Sequence, residues 1–205
     1  TGTNGKTTVT TMVTEMLEAA GRPAVAAGNT DLPLVTAIDD PATEVFVVEA
    51  SSFRLGHTRH FRPLVATWLN FAPDHLDVHA SLAAYEAAKA RIWADQGPDD
   101  LAVANADDPV VRAHKGAARR VSFSRPEQAG YHVADGVLVT DEGTELIAVD
   151  RLWRTFPHDV ANALAAAATA LGAGADPASV RRVLTGFSGM HHRVELVGER
   201  AGVPF

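Results

Sequence analysis

The chain contains no cysteine, which excludes disulfides and thiolate-bound metal. It also has no apolar run long enough to cross a bilayer. The longest such tract, residues 161–175, is alanine-rich and broken by Asn162, Thr169 and glycines. Nothing in it reads as a signal peptide, so a cytoplasmic protein is the expectation. Positive charge is in short supply. Lysine and arginine total 18 against 25 acidic residues, a net charge of −7, which argues against a nucleic-acid or anionic-membrane surface. Internal repeats and low-complexity linkers are missing as well. What is present is 205 residues, 46% of them hydrophobic, enough for one large domain with a substantial core.

The first eight residues carry the strongest signal. Thr1-Gly2-Thr3-Asn4-Gly5-Lys6-Thr7-Thr8 has the make-up of a loop that cradles phosphates and runs into a helix. Gly2 and Gly5 allow a tight turn whose N–H groups converge on an anion. Lys6 adds a point charge for the β- and γ-phosphates, and the Thr7 hydroxyl suits a magnesium ion. Beyond Lys6, apolar Val9, Met12, Val13, Met16, Leu17 and Ala20 recur at helical spacing until Gly21. A helix there aims its positive end at the phosphates. The first glycine of the full loop pattern would precede Thr1, as would the strand that delivers such a loop. The chain is therefore expected to be part of a longer protein.

Downstream, short apolar runs alternate with amphipathic stretches, the pattern of an α/β domain with a mostly parallel sheet flanked by helices. Val45-Phe46-Val47-Val48 shows no period-two alternation and predicts a strand buried on both faces. Residues 64–69, 101–104 and 121–123 predict further strands. Residues 131–140 and 145–149, split by Asp141, Glu142 and Gly143, predict a small antiparallel β unit. Helices are expected over 81–93, 160–171 and 177–184, the last capped by Asp176 with Pro177 in its first turn.

Ligands of open α/β sheets sit beyond the carboxyl ends of the strands. One predicted strand runs into Glu49, placed either as a magnesium ligand or as a surface or capping carboxylate. Another runs into Pro73-Asp74-His75-Leu76-Asp77-Val78-His79. His75 and His79 have the spacing of a helical zinc pair, yet the proline and aspartates favour a turn and a hard-cation site completed by phosphate oxygens. Asp77 or His79 also suits a solvated polar turn with a helix cap. Leu82, Tyr85, Lys89 and Ile92 share one helical face, so Lys89 either snorkels to water or is held near the site with a perturbed amine. The clusters around His57 to Arg62 and His114 to Arg120 read as solvated surface.

Together these residues resemble the Mur ligase family, which forms amide bonds in peptidoglycan precursors using ATP. The resemblance runs along nearly the whole chain: residues 1–8, Gly28-Asn29, Glu49 to Phe53, Pro73 to Asp77, Tyr85 to Lys89, Asn105 to Pro109, Asn162 to Ala165 and Gly189 to Glu195. It is similar above all to the D-glutamate-adding members. The resemblance implies a central ATPase domain over 1–205, cut from a three-domain enzyme whose UDP-binding and amino-acid-binding domains lie outside. It implies ATP held by Gly2, Thr3, Asn4, Gly5, Lys6, Thr7, Thr8, Asn162 and Arg193. Two magnesium ions are implied, one on Thr7 and Glu49 and one on His75 and a carbamylated Lys89, with Asn29 beside the reacting substrate. The implied substrates are ATP, a UDP-linked muramoyl-alanine and D-glutamate, in a monomer with no nucleic-acid or membrane partner. Three departures stand out: Thr30-Asp31 after Gly28-Asn29, Arg54 after Phe53, and Asp159 after His158. The last puts one adenine contact in doubt. Rival readings are another Mur ligase or a folylpolyglutamate synthase-like enzyme, a P-loop switch or kinase-like module, and a non-catalytic paralogue.

Overall fold

Helix α1 (Lys6–Ala19) grows directly out of the glycine-rich loop and buries Val9, Met12, Val13, Met16 and Leu17. These residues fall on one face, as their spacing requires. The computed structural model describes residues 1–126 and 130–189, with the backbone of 199–200 and 203–204. After α1 comes β1 (Ala24–Gly28), which pairs in parallel with β2 (Val45–Glu49). The short helix α2 (Leu34–Ala37) lies between them, and α3 (Ser52–His57) follows β2. A second parallel sheet joins β3 (Val65–Trp68), β4 (Leu101–Asn105) and β5 (Arg119–Phe123) in that order. Between β3 and β4 runs α4 (Leu82–Ala90), continued by a 3-10 turn to Trp93. The Ser81 hydroxyl caps it by accepting from Ala84 N. Helix α5 (Pro109–Ala113) is capped by Asp108.

The antiparallel unit has three strands, β6 (His132–Ala134), β7 (Val137–Val139) and β8 (Glu145–Ala148). The sequence suggested a single run over 131–140, but Asp135-Gly136 turns the chain inside it. Helices α6 (Pro157–Gly172) and α7 (Pro177–Gly186) follow, and Asp176 caps α7 through Ala178 N and Ser179 N. The alanine-rich tract belongs to α6, which packs on α1 and on the strands β3 to β5. Six of its alanines are almost wholly buried. Small side chains are what let this helix approach both layers closely. A final antiparallel pair, β9 (Glu199–Arg200) and β10 (Val203–Pro204), completes the described backbone.

A slot of about 520 Å³ is lined by β2 of the first sheet and β3 of the second. Val45 and Val47 of β2, Val65 and Thr67 of β3, and Val13 and Leu17 of α1 form its walls. Hence β2, expected to be fully buried, is only half-buried over Val45 to Val48. Thr1 sits at the end of this slot. Its amine donates to Thr67 O at 2.7 Å. Its carbonyl accepts from Leu69 N at 2.8 Å, and Thr3 N donates to Asn70 O at 3.2 Å. Residues 1–3 therefore extend a ladder along β3.

Candidate active site

Gly5 caps α1 with φ at +83°, a left-handed conformation that glycine adopts without strain. A Cβ there would also lie 2.4 Å from Asn162 Oδ1. At Gly2 a Cβ would meet Leu69 Cβ at 2.9 Å. Both glycines are thus fixed by close approach, and the loop is pinned against the ends of β3 and α6. Asn4 and Asn70 seal it further: Asn4 N donates to Asn70 Oδ1 at 2.9 Å, and Asn70 Nδ2 donates to Asn4 O at 3.1 Å. Lys6 Nζ folds back to Gly2 O and Thr3 O, each at 3.1 Å. Thr7 and Thr8 occupy the first turn of α1, where the helix presents its positive end.

Lys89 reaches the same loop from α4. Only 2% of it is exposed, its Nζ donates to Gly2 O at 2.9 Å, and it lies 4.6 Å from the centre of the Tyr85 ring. Snorkelling is thereby excluded. Burial, then the nearby Lys6, lower its pKa to about 7, against the opposing pull of Asp74. Of the face it was expected to share, Tyr85 and Ile92 are buried but Leu82 is 38% exposed, because the first turn of α4 stands clear of the core. The Tyr85 hydroxyl pairs with Thr3 Oγ1 at 3.2 Å.

Glu49 closes the cluster from β2 and is 3% exposed, which removes the surface reading. Asn29 Nδ2 donates to its Oε1 at 2.9 Å, whereas Oε2 is buried with no hydrogen-bond partner. An unpartnered buried carboxylate oxygen is costly unless something else neutralises it. His75 lies in a non-helical turn with φ at +54°. Its ring packs on Tyr85 and Phe53, at 5.8 and 4.9 Å between centres. His79 Nε2 is engaged with Ser52 Oγ at 3.0 Å. A helical zinc pair is therefore ruled out, as is a purely solvated role for His79. The cap of α4 is Ser81 instead.

A second region opens on the other side of the loop. A cavity of about 770 Å³ is lined by Gly5, Thr8, Asn70, Asn105, Asp159 and Asn162, among others. Asp159 is 1% exposed and held by Arg154, whose Nε and Nη2 donate at 3.0 and 2.9 Å to its two oxygens. A fork of this kind is geometrically specific. Asn105 Nδ2 donates to Leu69 O at 2.7 Å, and Asp107 accepts from Ser124 Oγ at 2.6 Å. No local pattern marks Arg154; only the fold turns it back onto α6. Arg193 lies outside the described residues. Asp31 and Arg54 are both exposed, with no ion pair between them. The clusters read as solvated surface are partly structural: Arg62 binds the buried Asp100 at 2.6 Å, and His114 binds Glu86 at 2.7 Å.

A phosphate loop with two lysines on one carbonyl, a buried strand-end carboxylate and an adjoining cavity is a nucleotide site in form. Comparison with known proteins agrees. The model of the Mur ligase middle domain matches residues 1–170. The chain belongs to the Mur ligase family. It is 46% identical over 207 residues to a UDP-N-acetylmuramoylalanine–D-glutamate ligase of Frankia casuarinae, covering 96% of this chain and 43% of that one. With the ligase of the same name from Pelotomaculum thermopropionicum it is 39% identical over 213 residues, covering 100% and 47%. The chain thus spans under half the length of these relatives. Among solved structures, a UDP-N-acetylmuramoyl-L-alanyl-D-glutamate–2,6-diaminopimelate ligase superposes with a TM-score of 0.74 at 23% identity, covering 97% and 47%. MurF from Acinetobacter baumannii does so with 0.75 at 20%, covering 97% and 47%. At these identities the likeness is one of fold.

Cation binding fits the residues of this Mur ligase domain. Among the described residues no three histidine, aspartate or glutamate side chains cluster as a ready-made metal centre. An ion there would draw on one carboxylate, hydroxyls and ligand oxygens, and the unpartnered Glu49 Oε2 is such a donor.

Proposed function

We propose that this chain is the nucleotide-binding middle part of an ATP-dependent ligase that joins D-glutamate to UDP-N-acetylmuramoyl-L-alanine, a step of peptidoglycan precursor synthesis. The observation that carries this reading is the convergence of Lys6 and Lys89 on the Gly2 carbonyl, beside a buried Glu49 that Asn29 orients. The names of the relatives support D-glutamate as the amino acid. Relatives more than twice the length of this chain support its place within a longer enzyme.

In this reading the N–H groups of residues 5–8 and Lys6 hold the β- and γ-phosphates, Thr3 N and Asn4 N being turned onto Asn70, and Asn162 holds the nucleoside end with Arg193. Thr7 and Glu49 would hold one magnesium ion, His75 and a carbamylated Lys89 a second. Bound magnesium neutralises charge that builds on the phosphoryl oxygens. The neutral Lys89 amine attacks carbon dioxide, forming an N–C bond and releasing a proton, and the resulting carbamate supplies oxygen ligands. Asn29 orients Glu49 next to the substrate carboxylate. That carboxylate takes the γ-phosphoryl group from ATP, releasing ADP and giving an acyl phosphate, and the amine of D-glutamate then displaces inorganic phosphate and loses a proton as the amide forms. The domain mainly positions the reactants and excludes competing water.

The test pairs the isolated chain with the complete ligase. Calorimetry is expected to show the chain binding Mg·ATP without forming an amide bond, and Lys6→Ala is expected to abolish acyl-phosphate formation in the complete enzyme. Amide turnover by the chain alone, or near-normal phosphate release by Lys6→Ala, would overturn the reading.

A further inference from the structure

We propose that His79 is a positioning residue that locks the His75 turn against the elements carrying Glu49 and Lys89, and so sets the geometry of the second cation site. The inference rests on His75 serving a cation there.

Three segments distant in sequence meet at this imidazole. The first is the start of α3, three residues beyond Glu49. Ser52 is 2% exposed, and its hydroxyl pairs with His79 Nε2 at 3.0 Å. The neighbouring Phe53 ring lies parallel to the His79 ring, 5.6 Å away at 5°. The second is the turn itself. His75 holds a positive φ of +54°, a strained choice for a side chain of that size unless its surroundings enforce it. Its carbonyl accepts from His79 N at 3.0 Å and Val78 N at 3.1 Å, so the backbone of His79 closes the turn that its side chain anchors. The third is α4. The Tyr85 ring lies 5.1 Å from His79, 5.8 Å from His75 and 4.6 Å from Lys89 Nζ.

These contacts separate two jobs that the sequence offered to both histidines. His75 packs edge-on to Tyr85 and tilted on Phe53, with Nδ1 3.6 Å from the adjacent Asp74 carboxylate, and has no side-chain hydrogen bond to another element among the described residues. His79 has one, to a buried hydroxyl that needs a partner. A group that fixes a metal-binding side chain commonly changes metal affinity about 10- to 100-fold when it is lost. Removing His79 releases the turn to relax its strained backbone, and His75 swings away from Tyr85 and Lys89. The loop at residues 2–8 is held by other contacts and keeps its nucleotide.

The experiment counts Mn²⁺ bound to this chain by electron paramagnetic resonance, with a non-hydrolysable ATP analogue and bicarbonate present. His75→Ala is expected to lose the weaker class of Mn²⁺. His79→Ala is expected to weaken that class about tenfold, with the affinity for the analogue unchanged. His79→Gln, whose amide still reaches Ser52, is expected to recover most of the loss, and His79→Phe, which keeps only the stacking, less. Ser52→Ala probes the same tie from its other end and is expected to match His79→Phe, which keeps the test open if His79→Ala fails to fold. If His75→Ala loses the weaker Mn²⁺ while the His79 and Ser52 variants bind it normally, the positioning role is overturned and the cation reading stands. If His75→Ala itself binds Mn²⁺ normally, the cation reading falls and takes this inference with it.

Discussion

The two sides of the phosphate loop are built on opposite principles. On the reacting side, groups are left in tension. Two lysine side chains share the Gly2 carbonyl, Glu49 Oε2 is buried without a partner, and His75 sits in a strained turn. On the cavity side several buried polar groups are already paired: Arg154 clamps Asp159, Ser124 serves Asp107, and Asn105 serves the Leu69 carbonyl. The first arrangement stores unmet interactions for phosphate and cations to complete. The second fixes the shape of a cavity before any ligand arrives. Preorganised polar groups of both kinds work best where water is scarce.

The sharpest way to break this contrast is Lys89→Ala in the complete ligase. It is expected to lose most ligase activity while ATP binding persists, and a small added carboxylic acid such as acetate is expected to restore part of it. Normal turnover would assign Lys89 to structure alone.

Arg154→Ala tests the satisfied side. It leaves the buried Asp159 carboxylate with only the exposed His158 imidazole 3.5 Å away, and breaking a buried pair in this way typically costs about 3–5 kcal/mol. Denaturant unfolding is expected to show a loss of that order in the isolated chain. A loss below about 1 kcal/mol would mean that Asp159 finds another partner.

The tension on the reacting side also predicts a pH signature in metal-free, carbon-dioxide-free buffer. Folding lowers the Lys89 pKa from 10.5 to about 7, so between those values the unfolded chain holds the extra proton. Stability therefore rises with pH across that window, with a contribution of about 1.4 kcal/mol per pH unit from one proton. Lys89→Met is expected to remove this slope, and an unchanged slope would place its origin elsewhere. The smallest effect is Ser81→Ala, which removes the cap of the helix carrying both Tyr85 and Lys89. A loss of about 1 kcal/mol in thermal unfolding is expected.

Several of these features are legible in the sequence. The runs at 45–48, 64–69 and 101–104 mark their strands because continuous apolar stretches suit strands covered on both faces. The helical period exposed Lys89, since a lysine among Tyr85 and Ile92 conflicts with burial. Other features left no local trace. Strand β1 is Ala-Val-Ala-Ala-Gly, too poor in branched and aromatic residues to register. The His79–Ser52 tie spans 27 positions, and no period or motif links partners that far apart. Arg154 and Asp159 are only five residues apart, but their pairing depends on the chain turning into α6 at Phe156. The half-burial of β2 reflects a neighbouring slot, which is a property of the assembled layers rather than of residues 45–48.

The shared carbonyl of Gly2 has a consequence for which ligands the loop admits. An arriving anion meets no free ammonium at Lys6; it meets one engaged with two backbone oxygens at 3.1 Å. Capture is therefore an exchange of partners, and the gain is the difference between a phosphate contact and the carbonyl contacts surrendered. Charge-assisted bonds to anionic oxygens exceed those to neutral carbonyls, and the excess grows with the charge presented. A singly charged anion gains little by the trade, while a triphosphate gains at several oxygens at once. The lysine thus works as a threshold, discriminating by total ligand charge before the cavity beyond it has touched a base.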